Sequence, residues 1–92
     1  MRYEWDPKKA EANRKVHGVS FADAVAVFED DFALTREDND AANEQRFVTL
    51  GTDTAGALLV VVYTYREPDV VRLISAWKAN KAQRTRYEKH RR

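Results

Sequence analysis

The stretch from Leu58 to Tyr65, reading Leu-Leu-Val-Val-Val-Tyr-Thr-Tyr, constrains this chain more than any other. A run of aliphatic, β-branched and aromatic side chains this short predicts a strand buried on both faces. Such a strand must lie inside a sheet, and its neighbours are close in the chain. Gln45 to Thr52 alternates around Phe47, Val48, Thr49 and Leu50, and Asp53-Thr54-Ala55-Gly56 turns it into the central strand as a hairpin. Arg66-Glu67-Pro68-Asp69 is the next turn, and Val70 to Trp77 is the strand beyond it. Connections this short favour antiparallel pairing.

Helices flank this meander. Asp6-Pro7 has the signature of an N-cap followed by proline at the first helical position, and Gly18 marks the stop after His17. Between them Ala12 and Val16 form the best apolar pair, which predicts a weakly amphipathic surface helix. Ser20 caps a second helix, with Asp23 completing an approximate capping box. Phe21, Ala24, Val25 and Phe28 give it one apolar face. Arg2 to Trp5 and Phe32 to Thr35 read as short strands, Arg36 to Asn43 as a polar loop, and Asn80 to about His90 as a terminal helix. The expected fold is a single α+β domain over residues 1–92. Its compact antiparallel sheet carries two N-terminal helices and one C-terminal helix, all covering one face.

Composition narrows the chemistry. The chain has 92 residues and no cysteine, and its two histidines, His17 and His90, lie far apart. A disulfide framework is excluded, and a structural zinc site or other metal or cofactor is not expected. No apolar run is long enough to span a bilayer, and the start of the chain does not read as a signal peptide, so a cytoplasmic protein is expected. The net charge of +1 conceals a division. Residues 1–65 carry 7 Lys/Arg against 12 Asp/Glu, and residues 66–92 carry 9 against 3. Function is expected in the basic third.

In that third, simple alternation places Val71, Leu73 and Ser75 on one side of a strand and Arg72, Ile74 and Ala76 on the other. Arg66 ends the preceding strand, Lys78 stands at the strand–helix junction, and Lys81, Arg84, Arg86 and Lys89 project from the terminal helix. Arginine forks and lysine charges suit RNA phosphates, and Trp77 or Tyr87 could carry an unstacked base. RNA cleavage without metal needs a base for the 2′-hydroxyl proton, a cation for the phosphorane and an acid for the leaving oxygen. Arg72, Lys78 and Arg84 are the candidate cations; Glu44, His17 and Tyr87 are the candidate proton movers. Ordinary roles compete. The basic helix also reads as a solvated face, Arg72 as the partner of an acid between Glu29 and Glu44, His17 as a helix-end charge, and Tyr87 and Trp77 as packing residues.

Four segments together resemble the BrnT family of bacterial toxins, the toxin halves of type II toxin–antitoxin pairs. They are Tyr3-Glu4-Trp5-Asp6-Pro7 with Lys9, Ala10 and Asn13; His17-Gly18-Val19-Ser20-Phe21 with Ala24; Glu44-Gln45-Arg46-Phe47 with Gly51; and Arg72-Leu73-Ile74-Ser75-Ala76 with Ala79, Arg84, Tyr87 and Glu88. The resemblance spans nearly the whole chain and implies a RelE-like ribonuclease fold. It also implies mRNA cleavage that arrests translation and growth, and a BrnA-like ribbon-helix-helix antitoxin that binds promoter DNA on behalf of the complex. On this reading Arg72, Lys78, Tyr87 and Glu44 form the catalytic set, and Arg66, Lys81 and Arg84 bind RNA. The chain departs from the family where Trp77 follows Ser75-Ala76 in place of a common arginine. A rival reading makes the protein a non-catalytic module that docks an acidic partner segment and acts as a co-repressor.

Overall fold

The computed structural model describes residues 1–38 and 44–91. The elements are β1 (Arg2–Glu4), α1 (Pro7–His17), α2 (Phe21–Ala24) with a 3₁₀ turn (Val25–Glu29), β2 (Leu34–Asp38), β3 (Arg46–Thr52), β4 (Leu58–Arg66), β5 (Val70–Lys78) and α3 (Lys81–Arg91). The sheet order is β1-β5-β4-β3-β2. The apolar run is therefore the central strand, and Leu58 to Thr64 are all buried.

The expected local signals operate. Asp6 Oδ1 accepts from Lys8 N at 2.9 Å, and Gly18 ends α1 with φ 71°. Ser20 Oγ accepts from Asp23 N at 3.2 Å. Asn80 and Gln83 cap α3 reciprocally, each side-chain oxygen accepting the other's backbone N–H at 2.8 Å.

Four expectations are corrected. First, the sheet is mixed: β1 runs parallel to β5, with Tyr3 opposite Val71 and Glu4 opposite Arg72. The two-helix excursion between β1 and the meander lets the strand return in that sense. Second, the helices cover both faces. The α1/α2 side packs on Leu59, Val61, Tyr63, Val71, Leu73 and Ala76. On the other side Tyr87 of α3 packs with Leu50, Leu58 and Val60. Third, α1 buries Asn13 rather than the Ala12–Val16 pair, and Val16 is 75% exposed. Asn13 is held because β1 pairs only with Val70 to Arg72, which leaves the β5 edge bare further on. There the Asn13 amide accepts from Ala76 N at 3.1 Å and donates to Ala76 O at 2.8 Å and to Val19 O at 3.1 Å. Fourth, the 3₁₀ tightening after Ala24 turns Val27 fully inward and leaves Val25 only partly buried.

β2 is also displaced along the chain from the expected Phe32–Thr35, and it takes in Arg36 to Asp38, which were expected in a loop. The rest of that expected loop, residues 39–43, lies outside the described residues. No helix among the described residues is long and apolar enough to cross a membrane.

Candidate functional site

A register irregularity decides which side chains share a face. β4 and β5 pair as Val62 with Ser75 but Tyr63 with Leu73, so Ile74 is the extra residue of a β-bulge. Beyond the bulge the alternation reverses. Ser75 joins Arg72 on the side of Thr64 and Val62, while Ala76 turns into the α1-side core. Simple alternation had placed Ser75 opposite Arg72.

On the face opposite α1, α3 packs over Leu50, Leu58 and Val60 at one end, and the polar side chains beyond it, Arg36, Arg66 and Arg72, are exposed or half-buried. Directly opposed residues share a face, and alternation along β2 and β3 then places Arg36 and Asp38, Val48 and Arg46 on this one. Arg72 lies opposite Thr64 on one side and Glu4 on the other. Arg66 comes two residues after Thr64 and shares its side. Arg36, Arg46, Arg66 and Arg72 thus come from four strands, β2 to β5, to a single sheet surface. With them the sheet and α3 form a cleft of about 700 Å³, lined by Leu34, Thr35, Arg36 and Asp38 of β2, by Val48, Leu50, Val60, Val62 and Trp77 below, and by Asn80, Ala82, Gln83 and Arg86 along α3.

Carboxylates hold several of these cations. Arg72 Nη1 donates to Glu4 Oε2 at 2.6 Å. The partner of Arg72 among the described residues is therefore Glu4, from β1, rather than an acid between Glu29 and Glu44. Both side chains are partly exposed, so the pair contributes little to stability, about 0–1 kcal/mol. Its larger effect is to hold the guanidinium in place. Glu44 bridges two arginines, 3.5 Å from Arg46 Nε and 3.8 Å from Arg66 Nη2. Arg46 Nε is buried and has no hydrogen-bond partner among the described residues. Thr64 Oγ1 donates to Gln45 O at 2.6 Å, which pins the start of β3 beside this cluster.

Arg72, Glu44 and Arg66 are thus brought to one surface. The other expected residues are not. Lys78 lies opposite Leu59, on the α1 side of the sheet, where it lines a second cleft with Val16, His17 and Trp77. The bulge puts it on the face of the sheet opposite Arg72. Tyr87 is 4% exposed, and its hydroxyl donates to Asp30 Oδ2 at 2.6 Å. Burial first, and the Asp30 hydrogen bond second, push its pKa up. The side chain packs with Leu50, Leu58 and Val60 and presents no open ring face for a base. Lys81 and Arg84 are exposed on α3 but do not line the cleft; Arg86 does. Trp77 packs beside Leu50, Leu58 and Val60 and also meets His17, with ring centroids 5.9 Å apart. Arg36 and Arg46 were not singled out from sequence. Their signal was the alternation of β2 and β3, hidden at Arg36 by the acidic stretch around it.

Residues 5–83 match the family described as ribonuclease toxin, BrnT, of type II toxin–antitoxin system. No curated protein matches the chain by sequence. Among solved structures, the 1.1 Å crystal structure of the Brucella abortus ribonuclease toxin BrnT superposes with a TM-score of 0.66 at 20% identity, over 88% of this chain and 99% of that one. Its fold is the α+β fold described above, a five-stranded mixed sheet with helices. The match over most of the sequence places this chain in the BrnT family of ribonuclease toxins of type II toxin–antitoxin systems.

Proposed function

We propose that the arginine-bearing open face is the site of RNA cleavage, and that the reaction is metal-independent phosphodiester transfer. The observation that carries this reading is the convergence of Arg36, Arg46, Arg66 and Arg72 on one sheet surface, with Glu44 between two of them. Arg72 stabilises the negative charge that builds on phosphorus. Its weak partner Glu4 orients it, and the remaining N–H groups of the guanidinium are available to phosphate oxygens. Arg66 and Arg46 bind the neighbouring phosphates. Glu44 takes the 2′-hydroxyl proton, the 2′-oxygen attacks phosphorus, and the bond to the 5′-oxygen breaks. A solvent proton completes the departing hydroxyl, leaving a 2′,3′-cyclic phosphate and a 5′-hydroxyl.

On this reading the chain is a RelE-like mRNA-cleaving toxin acting in the cytoplasm. A BrnA-like ribbon-helix-helix antitoxin neutralises it, and only through that partner does it meet promoter DNA. The deciding experiment incubates the purified protein with RNA, with and without chelator, and maps the new ends. The expected result is chelator-resistant cleavage with cyclic phosphate ends, lost in Arg72→Ala. Cleavage that stops in chelator overturns the metal-independent route. No cleavage by the folded protein at all favours the rival docking role.

A further inference from the structure

The cleft, which Arg36 and Asp38 line on the β2 side, has a floor and an α3 wall that the cleavage reaction does not use. Its floor is aliphatic, with Val48 and Val62 below and the Trp77 ring at the side. An apolar floor and an aromatic edge suit the flat face of a nucleobase rather than a phosphate. The α3 wall supplies Asn80, Gln83 and Arg86. Reciprocal capping fixes the orientation of both amides. Asn80 Oδ1 accepts from Gln83 N and Gln83 Oε1 accepts from Asn80 N, each at 2.8 Å. A backbone N–H can donate only to an oxygen, so the amide groups left for a ligand are Asn80 Nδ2 and Gln83 Nε2, both donors. Arg86 adds five more N–H donors and no acceptor, and it has no ion-pair partner among the described residues. The wall along α3 is therefore rich in donors.

We infer that this cleft is a base-reading subsite selecting guanine next to the scissile phosphate. Of the purines, guanine alone presents two adjacent acceptors, O6 and N7, on one edge, and an arginine fork pairs with both. Adenine turned the same way would set its amino group against the donors of α3, because the carboxylate of the cleft, Asp38, stands on the β2 side. Cytosine has adjacent acceptors in O2 and N3, but an amino donor stands beside them and its single ring covers less of the apolar floor; uracil has no two adjacent acceptors. The inference rests on reading the open face as the RNA site, and it adds which base that site prefers. Trp77, half-buried and lining the cleft, fits a stacking edge for such a base.

The test uses trinucleotides whose 2′-hydroxyls are all methylated, so that none can be cleaved: AGA, AAA, AUA and ACA, titrated into the full chain at fixed salt. AGA is expected to bind roughly tenfold or more tightly than the others, the discrimination of one bidentate pair. Arg86→Lys keeps the charge and removes the fork, so it should bring AGA close to AAA while the salt dependence of binding stays as in the wild type. Equal binding of all four by the wild type overturns the subsite and leaves the RNA face standing. Preference for AGA that survives in Arg86→Lys also overturns it. Failure of every trinucleotide to bind overturns the subsite together with the RNA face beneath it.

Discussion

Tyr87 reaches across 2.6 Å to Asp30, and this hydrogen bond ties the C-terminal helix to the residue that follows the 3₁₀ turn. The same carboxylate oxygen accepts from Thr52 N at 2.9 Å and Thr52 Oγ1 at 3.1 Å, while Oδ1 accepts from Phe32 N at 2.9 Å. Burial alone would push the Asp30 pKa up. The hydrogen bonds from Tyr87, Thr52 and Phe32 outweigh it and hold the carboxyl below its ordinary range. Asp30 is therefore where α3, β3 and the start of β2 are joined. It shapes the site indirectly, since α3 forms one wall of the cleft.

That network has a definite pH dependence. The folded pKa of Asp30 lies below its unfolded value. Its contribution to stability is then complete above the unfolded carboxylate range, about pH 4. It is lost as pH falls through the folded value. Tyr87→Phe removes the hydrogen bond that lowers this pKa most. The variant is expected to lose about 1–3 kcal/mol at neutral pH and to decline less steeply in acid than the wild type. Urea unfolding from pH 7 down to the acid limit checks both. Parallel acid limbs in the two proteins would show that the bond does not set the pKa.

Gly51 makes the same junction sterically tight. A Cβ there would stand 2.8 Å from Val27 Cγ1, 3.2 Å from Ala33 Cβ and 3.3 Å from Asp30 Oδ2. Val27 is fully buried and cannot swing away. Gly51→Ala is expected to cost about 1–3 kcal/mol by overpacking, read as a lower urea midpoint. An unchanged midpoint would mean that the 3₁₀ turn yields freely.

The parts of this fold legible in the sequence are those set by near neighbours. Asp6, Pro7 and Gly18 bound α1, Ser20 starts α2, and the central strand announces itself through its unbroken apolar run. What escaped depends on distant partners. Nothing near Tyr3 says that it will lie beside Val71, and nothing near Tyr87 points to Asp30. The bulge at Ile74 is the most consequential case, because one extra residue moved Lys78 away from Arg72 and brought Ser75 toward it. Arg72 was legible as a charge on a central-looking strand. The arginines that join it from β2 and β3 were not, because their grouping needs the register of strands linked through the sheet.

Asn13 shows how much one distant partner can carry. Its amide satisfies both backbone groups of Ala76 on an edge that no strand covers. Asn13→Ala would leave a buried donor and acceptor unpaired, at a cost of about 2–4 kcal/mol. Asn13→Asp is expected to be worse. It keeps the acceptor for Ala76 N but places a negative charge against the carbonyls of Val19 and Ala76. Unfolding midpoints should therefore rank wild type above Asn13→Ala above Asn13→Asp. A reversed order of the two variants would mean that the edge admits water.

The separation of Arg72 from Lys78 gives the sharpest test of the active site. Arg72 stands on the open face in contact with Glu4, and Lys78 stands opposite Leu59 on the other side of the sheet. If phosphorane stabilisation belongs to the open face, Arg72→Ala should lower RNA cleavage by on the order of 10²-fold or more. Arg72→Lys should recover only part of that, because an ammonium cannot reproduce the fork. Lys78→Ala should leave the rate of bond cleavage close to wild type, since Lys78 lies on the face of the sheet opposite Arg72. Each variant is first checked for the wild-type unfolding transition. Rates are then measured on one RNA under single-turnover conditions, so that product release does not mask the chemical step. Loss of cleavage in Lys78→Ala with Arg72→Ala still active would move the reaction to the cleft beside His17 and Trp77, and the open face would become a binding surface only.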